Sequence, residues 1–177
     1  MGTKFKTNPG LSHFDSYLKS VFDITFAIIG LAILGWVILV AWIISSFETR
    51  SNGFFIQKRV GVGGKLFNII KIKTMKNTKE IVGSVTTSSN PRITKSGFLF
   101  RLLKIDELPQ LLNIAIGQMS FVGPRPDVPG YADKLKGGDT IILSVKPGIT
   151  GPAQIAFKNE EDILSKQSNP LRYNDKV

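Results

Sequence analysis

The chain contains no cysteine and a single histidine, His13. The first absence excludes a disulfide framework and every thiolate metal site, and the second excludes a histidine metal cluster. A metal bound here must be held by oxygen, which favours Mg²⁺. Acidic side chains are also scarce, 13 Asp and Glu against 23 Lys and Arg, so the formal net charge is +10. That imbalance points to an anionic partner: nucleic acid, an anionic membrane surface or a phosphorylated small molecule. Charge and proline are missing altogether from Ile24 to Phe47, ITFAIIGLAILGWVILVAWIISSF. What remains, 177 residues with 42% hydrophobic content, suffices for one domain and a sizeable core.

An uncharged run of this length predicts a membrane helix. At ~1.5 Å per residue it measures about 36 Å, slightly more than a hydrocarbon core of ~30 Å. A signal peptide has a shorter apolar core and a small-residue cleavage site, which the segment does not match. The plainer alternative is a fully buried helix of a soluble core. Both flanks are basic: Lys4, Lys6 and Lys19 precede the run, and Arg50, Lys58, Arg59 and Lys65 follow it. Positive charge on both sides gives little directional bias, so the helix either spans the bilayer or re-enters, with Gly30 and Gly35 as the candidate break points.

Phe54 to Val60 and Leu66 to Lys73 are β-prone runs around Gly61, Gly63 and Gly64, and they predict a hairpin with a glycine-rich turn. GVGGK is not a phosphate loop, because Leu66 follows the lysine and no helical pattern comes after it. Lys76 to Pro91 is polar and aperiodic, as expected of a surface loop. Phe98, Leu99, Leu102 and Leu103 are spaced as on a helix, and a second helical run, LPQLLNIAI, ends at Gly117. Between the two stand Asp106 and Glu107. Their position predicts that Asp106 is the N-cap of the second helix, which is either its whole role or the placement of a reactive carboxylate. In Gly123-Pro124-Arg125-Pro126 one arginine lies between two residues of fixed φ, a stiff mount for a fork-shaped anion ligand or an ordinary turn. Lys146-Pro147-Gly148-Ile149-Thr150-Gly151-Pro152 is a further rigid loop.

In chain order, QKRVGVGGKLFNIIKIKTM, RITKSGFLFRLLKIDELPQLLNIAIGQMSFVGPRP and KPGITGPAQI after a membrane segment together resemble the bacterial sugar transferases. These are the monotopic polyprenyl-phosphate phosphoglycosyl transferases, and the resemblance runs from about Lys19 to the C-terminus. It implies transfer of a sugar 1-phosphate from a UDP-sugar to undecaprenyl (polyprenyl) phosphate with release of UMP, the start of a bacterial surface glycan. It further implies that Asp106 is the catalytic nucleophile, forming an aspartyl-phosphosugar, and that Glu107 is catalytic and holds Mg²⁺. The substrate-binding residues it implies are Lys71, Arg101, Arg125 and Gln154. A carboxylate can attack phosphorus and divide one displacement into two, and fixed cations offset the charge of a transferring diphosphate. The plain reading of Lys71 is a solvated strand position beside Lys73.

The expected fold is therefore α+β: an N-terminal membrane-inserted (re-entrant or spanning) helix, a β-hairpin and short interfacial helices around a membrane-surface active site. The expected organisation is an N-terminal interfacial segment over 1–23, the membrane helix over 24–47 and a cytoplasmic catalytic domain over 48–177. Location at the bacterial inner membrane, with the active site on the cytoplasmic face, follows from where UDP-sugars are made. Lys and Arg on the docking face are expected to attract anionic membrane lipid. Two departures from the family pattern stand out. Gly35-Trp36 occupies the place of a Ser-Pro pair in the middle of the membrane helix, and relatives usually continue beyond a segment like NPLRYNDKV, which implies a shortened C-terminus. The rival from another class is a membrane-tethered basic binding module. Nucleic acid is disfavoured as its ligand, because the 12 Phe are largely in apolar runs and not interleaved with Arg and Lys.

Overall fold

The computed structural model describes residues 12–77 and 90–156. Most of the polar stretch from Lys76 to Pro91, the first eleven residues and the end of the chain lie outside the described residues. The structure mixes helix and strand as expected. It begins with α1, His13–Thr49, an unbroken helix of 37 residues. Ser12 opens it with a capping box: its Oγ accepts from the amide of Asp15 at 3.1 Å, and the Asp15 carboxylate accepts from the amide of Ser12 at 3.2 Å. Arg50, in the left-handed region at φ 49°, closes it.

The helix runs past both ends of the apolar run, which extends from 24 to 47. Asp23 and Glu48, which border the run in the sequence, are both inside the helix because the rest of the chain supplies their partners. Asp23 is 3% exposed, is paired with Lys19 at 2.9 Å and accepts from the amide of Phe121 at 3.3 Å. Glu48 accepts from the amide of Ser96 at 3.3 Å and from its hydroxyl at 2.5 Å. The helix runs through Gly30 and Gly35 without interruption. Most of its apolar surface, including Phe22, Phe26, Ile33, Trp36 and Leu39, is exposed. Among the described residues it is the one helix long and apolar enough to cross a membrane.

Strands β1, Phe54–Val60, and β2, Leu66–Ile72, form the expected antiparallel hairpin, with Phe54 opposite Ile72 and Val60 opposite Leu66. Its connection is a 3₁₀ turn over Val62–Gly64, where Gly63 and Gly64 take φ of 65° and 76°. Helix α2, Lys95–Leu102, is capped by the Thr94 hydroxyl, which accepts from the amide of Gly97 at 2.9 Å. A 3₁₀ turn over Ile105–Glu107 leads into α3, Gln110–Ala115. From α3 the buried Asn113 ties the helix to β2: its Oδ1 accepts from the amide of Ile70 at 3.2 Å, and its Nδ2 donates to the carbonyl of Asn68 at 2.8 Å.

Two apolar clusters join these pieces. Ala27 of α1 packs with Phe67, Ile69, Leu111, Ile114 and Met119. Ile38 and Ala41, further along α1, pack with Ile72 and Phe100. The hairpin is thus held against α1 through Ile72 and against α3 through Phe67 and Ile69.

A second pairing was not expected. Strands β3, Ser120–Val122, and β4, Gly148–Thr150, lie parallel, with Ser120 opposite Gly148 and Val122 opposite Thr150. The two glycine-proline loops of the sequence therefore meet backbone to backbone: the amide of Gly123 donates to the carbonyl of Thr150 at 2.9 Å, and that of Gly148 to Pro124 at 2.9 Å. No side chain fits at this crossing. A Cβ on Gly148 would stand 2.2 Å from the Gly123 nitrogen, and one on Gly123 would stand 2.3 Å from the Lys146 carbonyl oxygen. The last described element, α4, is the short helix Pro152–Ala156.

Gly148→Ala should therefore lower the melting temperature, with a loss of roughly 2 kcal/mol or more expected for a forced backbone shift. Gly138→Ala, where nothing lies within 4 Å of the added carbon, should leave it unchanged. Thermal unfolding of the two detergent-solubilised variants tests the pair, and equal melting temperatures would show that the crossing tolerates a side chain.

Candidate active site

Asp106 and Glu107 lie in the 3₁₀ turn between α2 and α3, and the turn is set by Lys104 in the left-handed conformation at φ 57°. A non-glycine residue there costs free energy, and such positions concentrate at functional sites. The reversal sends Ile105 and Leu108 into the apolar cluster around Ile38 and Phe100, and this fixes the turn from below. Asp106 is not the helix cap expected from the sequence. The residue at the N-cap of α3 is Pro109, and the nearby amides are already taken by backbone carbonyls: Glu107 by Lys104 at 3.2 Å, Leu108 by Ile105 at 3.1 Å and Leu111 by Leu108 at 3.0 Å. The carboxylate is left free of capping duty, and its Oδ1 is buried with no hydrogen-bond partner.

Lys71 comes to the same place from β2. It continues the row of Phe67 and Ile69 along one face of the strand, so the side chain follows the core-facing direction to the turn instead of standing in solvent. Its Nζ donates to Glu107 Oε1 at 2.9 Å, with the two side chains only 22% and 26% exposed. Lys73 is engaged separately, donating to the Ser51 hydroxyl at 2.8 Å.

The adjacent carboxyls respond in opposite directions. Burial, and then the charge of Glu107, push Asp106 up to about 6, against the pull of Lys71, Lys104 and Arg101. Burial also opposes ionisation of Glu107, but the charge and hydrogen bond of Lys71, with Lys104 and Arg125, hold it below the ordinary carboxylate range. Arg101 arrives from the last turn of α2 and Arg125 from the loop after β3. Of the residues singled out in the sequence, Asp106, Glu107, Lys71, Arg101 and Arg125 thus share one electrostatic neighbourhood. Gln154 falls within α4, and its side chain lies outside the described residues.

Two cations were missed. Lys104 acts on both carboxyls, and Arg59 of β1 is close enough for its charge to interact with Arg125 and Glu107. Neither carries a local signal, since one depends on a left-handed turn and the other on a loop that returns from far along the chain. Among the described residues no group of three acidic or histidine side chains is placed to hold a metal alone.

A half-buried carboxylate pair ringed by cations from several chain segments is suited to holding a phosphorylated ligand. Comparison with known proteins gives the chain a family. The profile described as bacterial sugar transferase matches residues 14–177, and the chain belongs to that family. It is 43% identical over 120 residues to a Bacillus subtilis (strain 168) protein whose name gives it provisionally as an undecaprenyl-phosphate N-acetylgalactosaminyl 1-phosphate transferase. That alignment covers 67% of each chain. It is 41% identical to the uncharacterized sugar transferase EpsL of the same organism, over 80% of this chain and 70% of that one. It is 33% identical to the UDP-glucose:undecaprenyl-phosphate glucose-1-phosphate transferase of Escherichia coli (strain K12), over 92% of this chain but 36% of that longer protein.

The raised pKa of Asp106 has a consequence for stability. A carboxyl whose folded value, about 6, exceeds its unfolded value of 3.8 opposes folding when ionised, so the cost is present above pH 6 and vanishes below about pH 4. Asp106→Asn should therefore stabilise the fold at pH 8 by on the order of 1 kcal/mol, seen as a higher melting temperature, and leave it unchanged near pH 4. A melting temperature at pH 8 that does not rise would mean that the carboxylate is not destabilised where it sits.

Proposed function

We propose that the protein transfers a sugar 1-phosphate from a UDP-sugar to polyprenyl phosphate through a covalent intermediate on Asp106. Membership of the family makes the chain a phosphoglycosyl transferase, and its named relatives act on undecaprenyl phosphate. The single observation that carries the covalent reading is the buried, unpartnered Oδ1 of Asp106 within a ring of cations. A carboxylate oxygen without a hydrogen bond keeps its lone pairs for attack, and the surrounding charge draws in an anionic donor that would otherwise be repelled.

In the first step the ionised Asp106 attacks the phosphorus next to the sugar, the bond to the bridging oxygen breaks, and UMP leaves with that oxygen. In the second, a phosphate oxygen of the polyprenyl acceptor attacks the same phosphorus and restores the Asp106 carboxylate. Lys71 keeps Glu107 ionised and in place. Arg101, Arg125 and Lys104 offset negative charge as the diphosphate is cleaved. Gln154 is assigned a supporting role in donor binding.

Mg²⁺ belongs to this proposal. Two neighbouring carboxyls, one with an unpartnered buried oxygen and no third acidic group beside them among the described residues, fit an ion that takes its other oxygens from substrate phosphates and water. Glu107 would hold it, and when bound it would neutralise charge on the diphosphate.

The exposed apolar face of α1 supports membrane association, since so large an apolar surface is stable in lipid and not in water. Asp23 near one end of α1 and Glu48 near the other are both bound by residues of the catalytic unit, which favours a helix whose two ends share one side of the membrane. That side is the cytoplasmic face of the bacterial inner membrane, where UDP-sugars and the phosphate of the lipid acceptor meet, and basic side chains add attraction to anionic lipid.

Intact-protein mass spectrometry of the solubilised protein with Mg²⁺ and a panel of UDP-sugars, without lipid, tests the covalent step. A sugar-phosphate increment should appear with one equivalent of UMP, be lost in Asp106→Asn and fail to form after chelation of the metal. Because attack requires the ionised carboxylate, the initial rate should fall about tenfold per pH unit once Asp106 is protonated and level off above, with the break below about 6 because a neighbouring Mg²⁺ favours the anion. Turnover with lipid acceptor that persists in Asp106→Asn would sink the covalent route.

A further inference from the structure

We propose that Arg59 is a positioning residue for Arg125: it fastens the loop that carries Arg125 to the edge of the β-hairpin, and so sets the phosphate-binding arm of the site beside Glu107. The inference rests on the proposed reading of the site as a receptor for a diphosphate donor.

The loop is held at three points. The Arg59 Nη1 donates to the carbonyl of Pro126 at 3.0 Å, the amide of Val60 donates to the carbonyl of Asp127 at 2.9 Å, and the amide of Gly148 donates to the carbonyl of Pro124 at 2.9 Å. Two of these ties come from adjacent residues of β1 and flank Arg125 on its C-terminal side. The third comes from β4 on its N-terminal side. Pro126 itself is buried, so the arginine projects from a segment closed behind it. A guanidinium mounted in this way loses little freedom on binding a phosphate.

Arg59 is not serving a salt bridge. The ion pairs of Lys19 with Asp23 and of Lys71 with Glu107 do not involve it. The second fork nitrogen of Arg59, Nη2, donates to the neutral Gln57 at 2.7 Å, and its Nε is buried without a partner. Burial, and then the like charge of Arg125, lower its pKa from the usual value against the pull of Asp127 and Glu107. The forked guanidinium reaches Gln57 with one nitrogen and the Pro126 carbonyl with the other, a pair of contacts that the single ammonium of lysine does not reproduce. The cleft between hairpin and loop, lined by Val60, Gly61, Arg125 and Asp127, has a volume of about 20 Å³.

Affinity for inorganic pyrophosphate, measured by calorimetry on the full-length solubilised chain, separates this role from a general loss of charge. Arg59→Met should weaken pyrophosphate about tenfold, as expected when a charge-assisted contact made by Arg125 is misplaced. Arg59→Lys, which keeps the charge but not the fork, should lose nearly as much. In an Arg125→Ala background the further loss from Arg59→Met should shrink to about twofold or less, because the effect passes through Arg125. The inference is overturned by wild-type affinity in Arg59→Lys, by losses that multiply in full in the double variant, or by a wild-type chain that binds no pyrophosphate. Should Arg59→Met fail to fold, Arg59→Lys alone decides, and unchanged affinity there overturns the proposal. Pyrophosphate binding that depends on Arg59, without an Asp106 adduct from any UDP-sugar, would keep this inference and remove the donor reading. An adduct that forms while Arg59→Lys binds pyrophosphate normally would do the reverse.

Discussion

Helix α1 buries a single narrow stripe, and the rest of the molecule is mounted on it. Asp23, Ala27, Ile38, Ala41, Ser45 and Thr49 are all buried, at separations that keep them on one side of a 3.6-residue helix. Small residues on that stripe let Phe67, Ile69, Leu111, Ile72 and Phe100 pack close to the helix axis. Polar ties lock the two ends: Lys19 donates to the Ser120 hydroxyl and Lys146 to that of Ser20 at 3.4 Å, while the Ser45 hydroxyl donates to the carbonyl of Lys73. Each element that carries a site residue is fixed to this helix or to a neighbour that is. The depth of α1 in a bilayer would therefore set the height of Asp106 above the lipid, which matters for a reaction whose acceptor phosphate is confined to the headgroup layer.

The carboxyl pair depends on that mounting because its charges are costly. Two neighbouring acids in a half-buried turn cannot both be ionised cheaply, and the fold resolves the conflict by giving them unequal partners. Lys71 bonds Glu107 directly and only influences Asp106 through space. One acid is consequently held as a firm anion and the other near the balance point, with a free oxygen. That inequality supports the proposed roles: the stabilised carboxylate suits a fixed ligand, and the destabilised one suits a nucleophile.

Much of this was legible in the sequence. The apolar run, the glycine turn and the periodicity of the two short helices located α1, the hairpin, α2 and α3, because each is governed by neighbours a few residues apart. Asp106, Glu107, Lys71, Arg101 and Arg125 also come into one electrostatic neighbourhood, while the side chain of Gln154 lies outside the described residues. What was not legible depends on distant partners. Strands β3 and β4 are three residues each, too short for an alternating pattern, and they exist because Gly123 and Gly148 allow two backbones to touch. Asp106 looked like a helix cap because Asp-Glu-Leu-Pro has the composition of one, but the left-handed Lys104 inserts a 3₁₀ turn ahead of the helix and uses the amides locally. Asp23 and Glu48 looked like borders because charge usually ends a membrane run. Here tertiary partners keep both inside the helix.

The same reasoning explains why the cations come from separate segments. Arg101, Lys104, Lys71 and Arg125 repel one another, and no single helix or strand could present them together at low cost. Drawn from α2, the turn, β2 and the loop after β3, each is restrained by its own element, and their mutual repulsion is borne by the whole apolar core. A site assembled in this way is organised before its anion arrives, so little reorganisation remains when charge develops on the transferring phosphoryl group. The rigid turns beside these residues, proline on either side of Arg125 and glycine at the β3–β4 crossing, serve the same end by fixing the backbone from which the cations project.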